Sequence, residues 1–159
     1  ILIMRISIIA VGKKIPSWAQ AGVNEYLKRL QREYELTVVE IANSLPGTAS
    51  DKNLKMKKEA DAILGKTKLE DYVVALDLRG ARVSTSSMAL KLDSYRALGR
   101  DLVFVIGGAD GLHKRCLERA EESWSLSDLT LPHSLARVVL IEQLYRANSI
   151  HKGHPYHRE

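Results

Sequence analysis

The sequence predicts an α/β domain built on a mostly parallel β-sheet with helices on both faces. Two observations predict it. Short runs rich in Val, Ile and Leu alternate with segments of helical period, and 159 residues leave room for one such domain and hardly for two.

The first run, Arg5 to Val11, reads as a buried strand. The apolar stretch around it is interrupted by Arg5, ends at Gly12-Lys13-Lys14 and has no small-residue cleavage site, so a buried strand is expected rather than a secretion signal. Met4 opens the strand more cleanly than Ile1. A single domain over residues 4–159, with residues 1–3 as an amino-terminal extension, is therefore expected. Pro16 and Ser17 start a helix with Val23, Tyr26, Leu27 and Leu30 on one stripe, leaving Lys28, Arg29 and Arg32 largely on the other side. A second strand runs from Leu36 to Ile41. Ala42 to Ser50, containing Asn43, Pro46 and Gly47, has loop chemistry and is expected to be mobile.

The next helix buries a seam of Met56, Ala60, Ile63 and Leu64 between Lys52, Lys55, Lys57 and Lys58, and ends at Gly65. Its basic face suits either solvent or RNA. A third strand spans Tyr72 to Leu76. A helix from Ser86 to Leu98 buries Met88, Leu92 and Tyr95 and ends at Gly99; a fourth strand covers Leu102 to Ile106. A helix through His113 to Glu122 and a short strand near Trp124 to Leu126 complete the alternation. From Leu135 to Ile150 the last helix is apolar almost all the way round, so it needs cover on all sides. It is either a central core helix or one whose outer side meets a second copy in a twofold homodimer.

Composition excludes some classes and favours others. Lys and Arg number 24 against 19 Asp and Glu, a net charge of +5 that suits a polyanionic partner. One cysteine, Cys116, cannot form an internal disulfide and no Cys-x-x-Cys pair suggests zinc, so a reducing, cytoplasmic setting is expected. No stretch is long enough to span a bilayer, so no membrane partner is expected. The tail, His151-Lys152-Gly153-His154-Pro155-Tyr156-His157-Arg158-Glu159, holds three histidines, but Gly153 and Pro155 break helical geometry and no acidic or cysteine partner lies nearby; no metal is expected.

Two segments could carry chemistry. Val103 to Gly111 runs a strand into a glycine-rich turn before a helix, where backbone can approach a ligand closely. It has neither the dinucleotide fingerprint nor the lysine and hydroxyl of a P-loop, and a purely structural turn is the alternative. In Ser125-Leu126-Ser127-Asp128-Leu129-Thr130-Leu131-Pro132-His133, small polar residues alternate with leucines just before the last helix. It either caps that helix or grips a flat base between apolar surfaces.

These segments, with Arg137-Val138, Glu142-Gln143-Leu144-Tyr145-Arg146-Ala147, Tyr156-His157 and the amino-terminal Ile8-Ile9-Ala10-Val11-Gly12-Lys13, closely resemble the ribosomal RNA large subunit methyltransferase H family of SPOUT methyltransferases. The resemblance covers the chain from Met4 onward and is least specific in the middle. It implies a trefoil knot in the carboxy-terminal part, which the general rule of unknotted chains argues against. It also implies S-adenosylmethionine held by Leu76, Gly108, Ser127, Asp128, Leu129, Thr130, Leu131 and Pro132, where the ends of several strands converge. The implied reaction is methyl transfer to N3 of a pseudouridine in helix 69 of 23S ribosomal RNA, with the assembled ribosome rather than DNA as partner. His133 is the first candidate base, Tyr156 and His157 are alternatives, and Arg158 is placed to hold a uracil carbonyl or a phosphate. Position alone motivates these roles. The rival reading is a non-catalytic RNA-binding module whose glycine turn is structural.

Overall fold

Strands that are apolar at consecutive positions must be buried on both faces, and the fold meets that demand. A computed structural model, describing residues 3–43 and 51–158, contains five strands: β1 (Met4–Val11), β2 (Tyr34–Ile41), β3 (Tyr72–Arg82), β4 (Leu102–Ile106) and β5 (Glu122–Ser125). They form one sheet in the order β2-β1-β4-β3-β5, every pair parallel. Residues 44–50 of the expected mobile loop lie outside the described residues, as do 1–2 of the expected extension and 159.

Five helices cover the sheet: α1 (Ser17–Leu30), α2 (Asp51–Leu64), α3 (Thr85–Leu98), α4 (Lys114–Arg119) and α5 (His133–His151). Consecutive residues of β1 serve opposite faces, as period two requires. Ile8 packs with Phe104, Val23, Leu92 and Leu140 on the α1, α3 and α5 side, and Ile9 with Val105, Ala60, Ile63 and Cys116 on the α2 and α4 side. The fold class read from the sequence is thus observed.

The termini of α3 show how local chemistry sets an element. The Ser84 hydroxyl accepts from Ser87 N at 3.1 Å and Ser84 N donates to Ser87 Oγ at 2.9 Å, a reciprocal cap. Gly99 then stops the helix at φ 66°.

Three of the differences in boundary from the sequence reading have a clear physical reason. Tyr34 and Glu35 join β2 because they pair with Met4 and Arg5. The helix expected to reach Glu122 stops at Arg119, because Glu121 N donates to Val73 O at 2.9 Å and Glu122 pairs with Val74 at the sheet edge. Finally, β3 continues past Leu76: Trp124 of β5 pairs with both Leu76 and Ala81, so the residues between them loop out. Gly80 crosses β5 so closely that a Cβ there would lie 2.6 Å from the Ser123 carbonyl carbon.

Helix α5 has a covered and a less covered side. Leu140, Ile141, Leu144 and Ala147 are buried, whereas Leu135, Val138, Val139 and Tyr145 are only half-buried.

Candidate active site

At the carboxyl edge of the sheet, β4 ends in Ile106 and the chain doubles back within five residues. Gly107 makes that possible, since a Cβ on it would fall 2.6 Å from the carbonyl carbon and oxygen of Gly111. Gly111, at φ 83°, donates its N–H to Gly108 O at 3.0 Å and closes the turn. Beyond β5, Ser125 and Ser127 shape a second backbone segment: Ser125 Oγ donates to Ser127 O at 3.0 Å, and Ser127 Oγ accepts from Leu129 N at 3.0 Å. Side-chain hydroxyls used in this way fix an irregular backbone that no ladder supports.

The glycine turn, this strap and the end of β3 enclose a cleft of about 870 Å³. Of the expected cofactor residues, Leu76, Gly108, Ser127, Leu129, Thr130, Leu131 and Pro132 line it, although they come from three separate stretches of sequence. Asp128 does not line it: its side chain points to solvent and pairs with Arg82 at 3.1 Å. Apolar walls with a few backbone polar groups are the usual build of a small-molecule site. Lys52, Met56, Asp77 and Arg79 also line the cleft and were not among the residues expected to hold the cofactor; Asp77 is ion-paired with Arg79 at 3.5 Å.

His133, the first residue of α5, stands at the cleft wall. Its ring packs on the backbone of Gly12, where a Cβ would meet His133 Cε1 at 2.9 Å, and its Nδ1 is buried without a hydrogen-bond partner. One turn further, Arg137 is 1% exposed; its guanidinium donates to Gly12 O at 3.1 Å and to Glu40 Oε2 at 3.3 Å. Helix α5 therefore clamps the end of β1 through two residues of one face.

The other three candidate catalytic residues lie elsewhere. Tyr156 OH donates to Glu142 Oε1 at 3.0 Å and shares a 3.0 Å hydrogen bond with Tyr26 OH, while its ring meets Tyr145 edge-on at 4.6 Å. Burial and the hydrogen bonds to Tyr26 and Glu142 raise the Tyr156 phenol above its ordinary pKa, so it stays protonated at neutral pH. His157 Nδ1 lies 3.5 Å from Arg146, Arg158 is exposed, and none of the three lines the cleft. Glu142 is nine residues along α5 from His133, roughly 14 Å at the helical rise. Within one chain the tail and His133 do not meet.

Residues 4–157 match the profile of a family described as predicted SPOUT methyltransferase. The chain belongs to the SPOUT methyltransferase family. Among its relatives, the ribosomal RNA large subunit methyltransferase H of Chromohalobacter salexigens is 45% identical over 98% of this chain and all of that one. The protein of the same name from Alkalilimnicola ehrlichii is 48% identical over 98% of this chain and 99% of its own. A solved structure of a probable methylase family protein from Haemophilus influenzae Rd KW20 shares the fold at a TM-score of 0.54 and 14% identity, covering 98% of this chain and 70% of that one.

SPOUT methyltransferases use S-adenosylmethionine, and the cleft of this member suits it. The glycine turn forms one wall and the stretch with Leu126, Leu129 and Leu131 another, a combination that accommodates a flat base between apolar surfaces.

Proposed function

We propose that this SPOUT methyltransferase transfers a methyl group to N3 of a pseudouridine in helix 69 of 23S ribosomal RNA on the assembled ribosome, working as a homodimer in the cytoplasm. The observation that carries the reading is the cleft, assembled from the glycine turn, the Ser125–Pro132 strap and Leu76. The names of the relatives support ribosomal RNA as substrate, and the net charge of +5 suits it. No described helix is long and apolar enough to cross a membrane.

S-adenosylmethionine supplies a methyl already activated on a sulfonium. The remaining task falls to the protein: to hold the acceptor nitrogen in line and remove its proton. Leu76, Gly108, Ser127 and the stretch 129–132 hold the cofactor, and His133 at the same wall takes the imide proton. Tyr156, His157 and Arg158 orient the uracil ring and its phosphate. Since Tyr156 packs on Glu142 and His157 on Arg146, more than two turns along α5 from His133 in their own chain, the tail reaches the cleft of the partner. The half-buried outer side of α5, with Leu135 and Val139, supplies the twofold contact. Residues 4–159 act as one unit, with 1–3 a short extension. The carboxy-terminal part is threaded as a trefoil, a reading that rests on membership of the SPOUT family. Single-molecule pulling checks the threading: a knotted chain extends to less than the full ~3.3–3.6 Å per residue.

Mixed dimers test the shared site. His133→Ala and Tyr156→Phe homodimers are both expected to be inactive, whereas a dimer with one protomer of each keeps one intact site and about half of wild-type turnover. No recovery in the mixed dimer places the tail in its own chain's site, and full activity of both homodimers removes both residues from the chemistry.

A further inference from the structure

Among the nine aromatic side chains, Trp18 stands alone in being exposed: 57% of it faces solvent, while the tyrosines, Phe104 and Trp124 are buried or half-buried. No aromatic neighbour or cation covers its ring among the described residues. Its position is informative. Gly22 of α1 packs on Val138 of α5 and Tyr26 of α1 on Tyr145, so the two helices run in the same sense. One turn before Gly22, Trp18 therefore lies toward the amino end of α5, where His133 meets the cleft.

Lys13 and Lys14 precede it on the same connection. They project between buried Gly12, held by Arg137 and by its own N–H to Ile41 O at 2.7 Å, and buried Ile15. Lys14 adopts φ 59°, a left-handed conformation that a residue with a Cβ rarely takes. Of the described residues, the two cations that line the cleft have carboxylate partners: Lys52 pairs with Asp110 and Arg79 with Asp77. Lys13 and Lys14 are exposed and have no such partner among the described residues. A rigid, uncompensated positive knuckle beside an open indole fits one class of ligand, a single-stranded nucleic acid whose bases stack and whose phosphates need neutralising.

We propose that Lys13, Lys14 and Trp18 form a docking surface for the RNA strand flanking the target base, with Trp18 stacking an unpaired neighbour and the lysines holding its phosphates. The proposal rests on the RNA-methyltransferase reading above and adds to it the protein surface that grips the flanking strand.

The test uses ribosomes lacking the modification, with S-adenosylhomocysteine affinity and sedimentation measured in parallel. Trp18→Ala is expected to raise KM for ribosomes by about tenfold, the scale of one lost base stack. Cofactor affinity and dimer mass should be unchanged, and Trp18→Tyr should recover most of the loss. Lys13→Ala with Lys14→Ala should lower the salt dependence of KM by about two counterions. An unchanged KM in Trp18→Ala, with wild-type methylation intact, overturns the docking surface and leaves the enzyme reading standing. A Trp18→Ala protein that falls to monomers overturns it in favour of a contact between copies of this chain. Failure of the wild type itself to methylate ribosomes removes the enzyme reading and this proposal together.

Discussion

Replacing Gly107 by alanine would put a methyl group 2.6 Å from the carbonyl carbon and oxygen of Gly111 and 2.9 Å from Leu112 N. All three neighbours are backbone, so no side chain can swing aside. To reach ordinary contact, the two limbs of the turn must separate by about 1 Å. Overpacking of this kind costs about 1–3 kcal/mol, which in a domain of this size lowers Tm by roughly 2–12 °C. The larger effect falls on the cleft, because the displaced limbs are its wall. A misplacement of about 1 Å in a positioning element costs on the order of a hundredfold, and a loss of that order in S-adenosylhomocysteine affinity is expected by calorimetry. Gly99→Ala is the control. Gly99 has a positive φ, 66°, but a Cβ there meets nothing within 4 Å and the residue is remote from the cleft. It should cost about 1 kcal/mol of stability and leave cofactor affinity alone. If Gly107→Ala bound S-adenosylhomocysteine within about threefold of wild type, the turn would not be a cofactor wall and the reasoning would fail.

Two further perturbations separate fold from function. Burial alone would raise the Glu122 carboxyl, but hydrogen bonds from Lys91, Tyr72, Tyr95 and Trp124 outweigh it and bring the group from 4.5 down to about 2. A carboxylate depressed on folding stabilises fully above its unfolded pKa, so Glu122 lends up to about 3 kcal/mol above pH 4.5 and loses it as pH falls toward 2. Denaturant melts of wild type and Glu122→Gln should therefore converge below that window; a constant gap from pH 6 to 2.5 would show that the carboxylate's charge is not what stabilises. Arg137→Met should change stability by no more than about 2 kcal/mol, because it removes the buried charge itself and the Glu40 carboxylate left behind, 35% exposed, can be rehydrated. It should nevertheless depress kcat, since the clamp on Gly12 beside His133 is released. A loss of 4 kcal/mol with unchanged kcat would reverse that assignment.

The strands were legible where Ile and Val follow one another, as in β1 and β4, because burial on both faces leaves a direct mark on composition. The extension of β3 was not. Asp77-Leu78-Arg79-Gly80 carries no strand signal, and the segment returns to the sheet only because Gly80 lets it press on the Ser123 backbone. The overestimated α4 has the same origin: Glu121 and Glu122 suit a helix well enough, but pairing with Val73 and Val74 overrides propensity. Of the site, the glycine turn and the Ser125–Pro132 strap stood out as motifs, while their meeting with Leu76 came from resemblance to a family. Arg137 reaches a carbonyl 125 residues away in sequence, a contact that periodicity along one helix cannot reveal. Nor could spacing show that Tyr156 folds back on Glu142, away from His133.

The central claim is tested most directly by incubating the protein with labelled S-adenosylmethionine and ribosomes that lack the modification, then mapping the labelled RNA fragment by mass. The account predicts one methyl group at N3 of the helix 69 pseudouridine. Label at another nucleotide, or no label while S-adenosylmethionine still binds saturably, would contradict it.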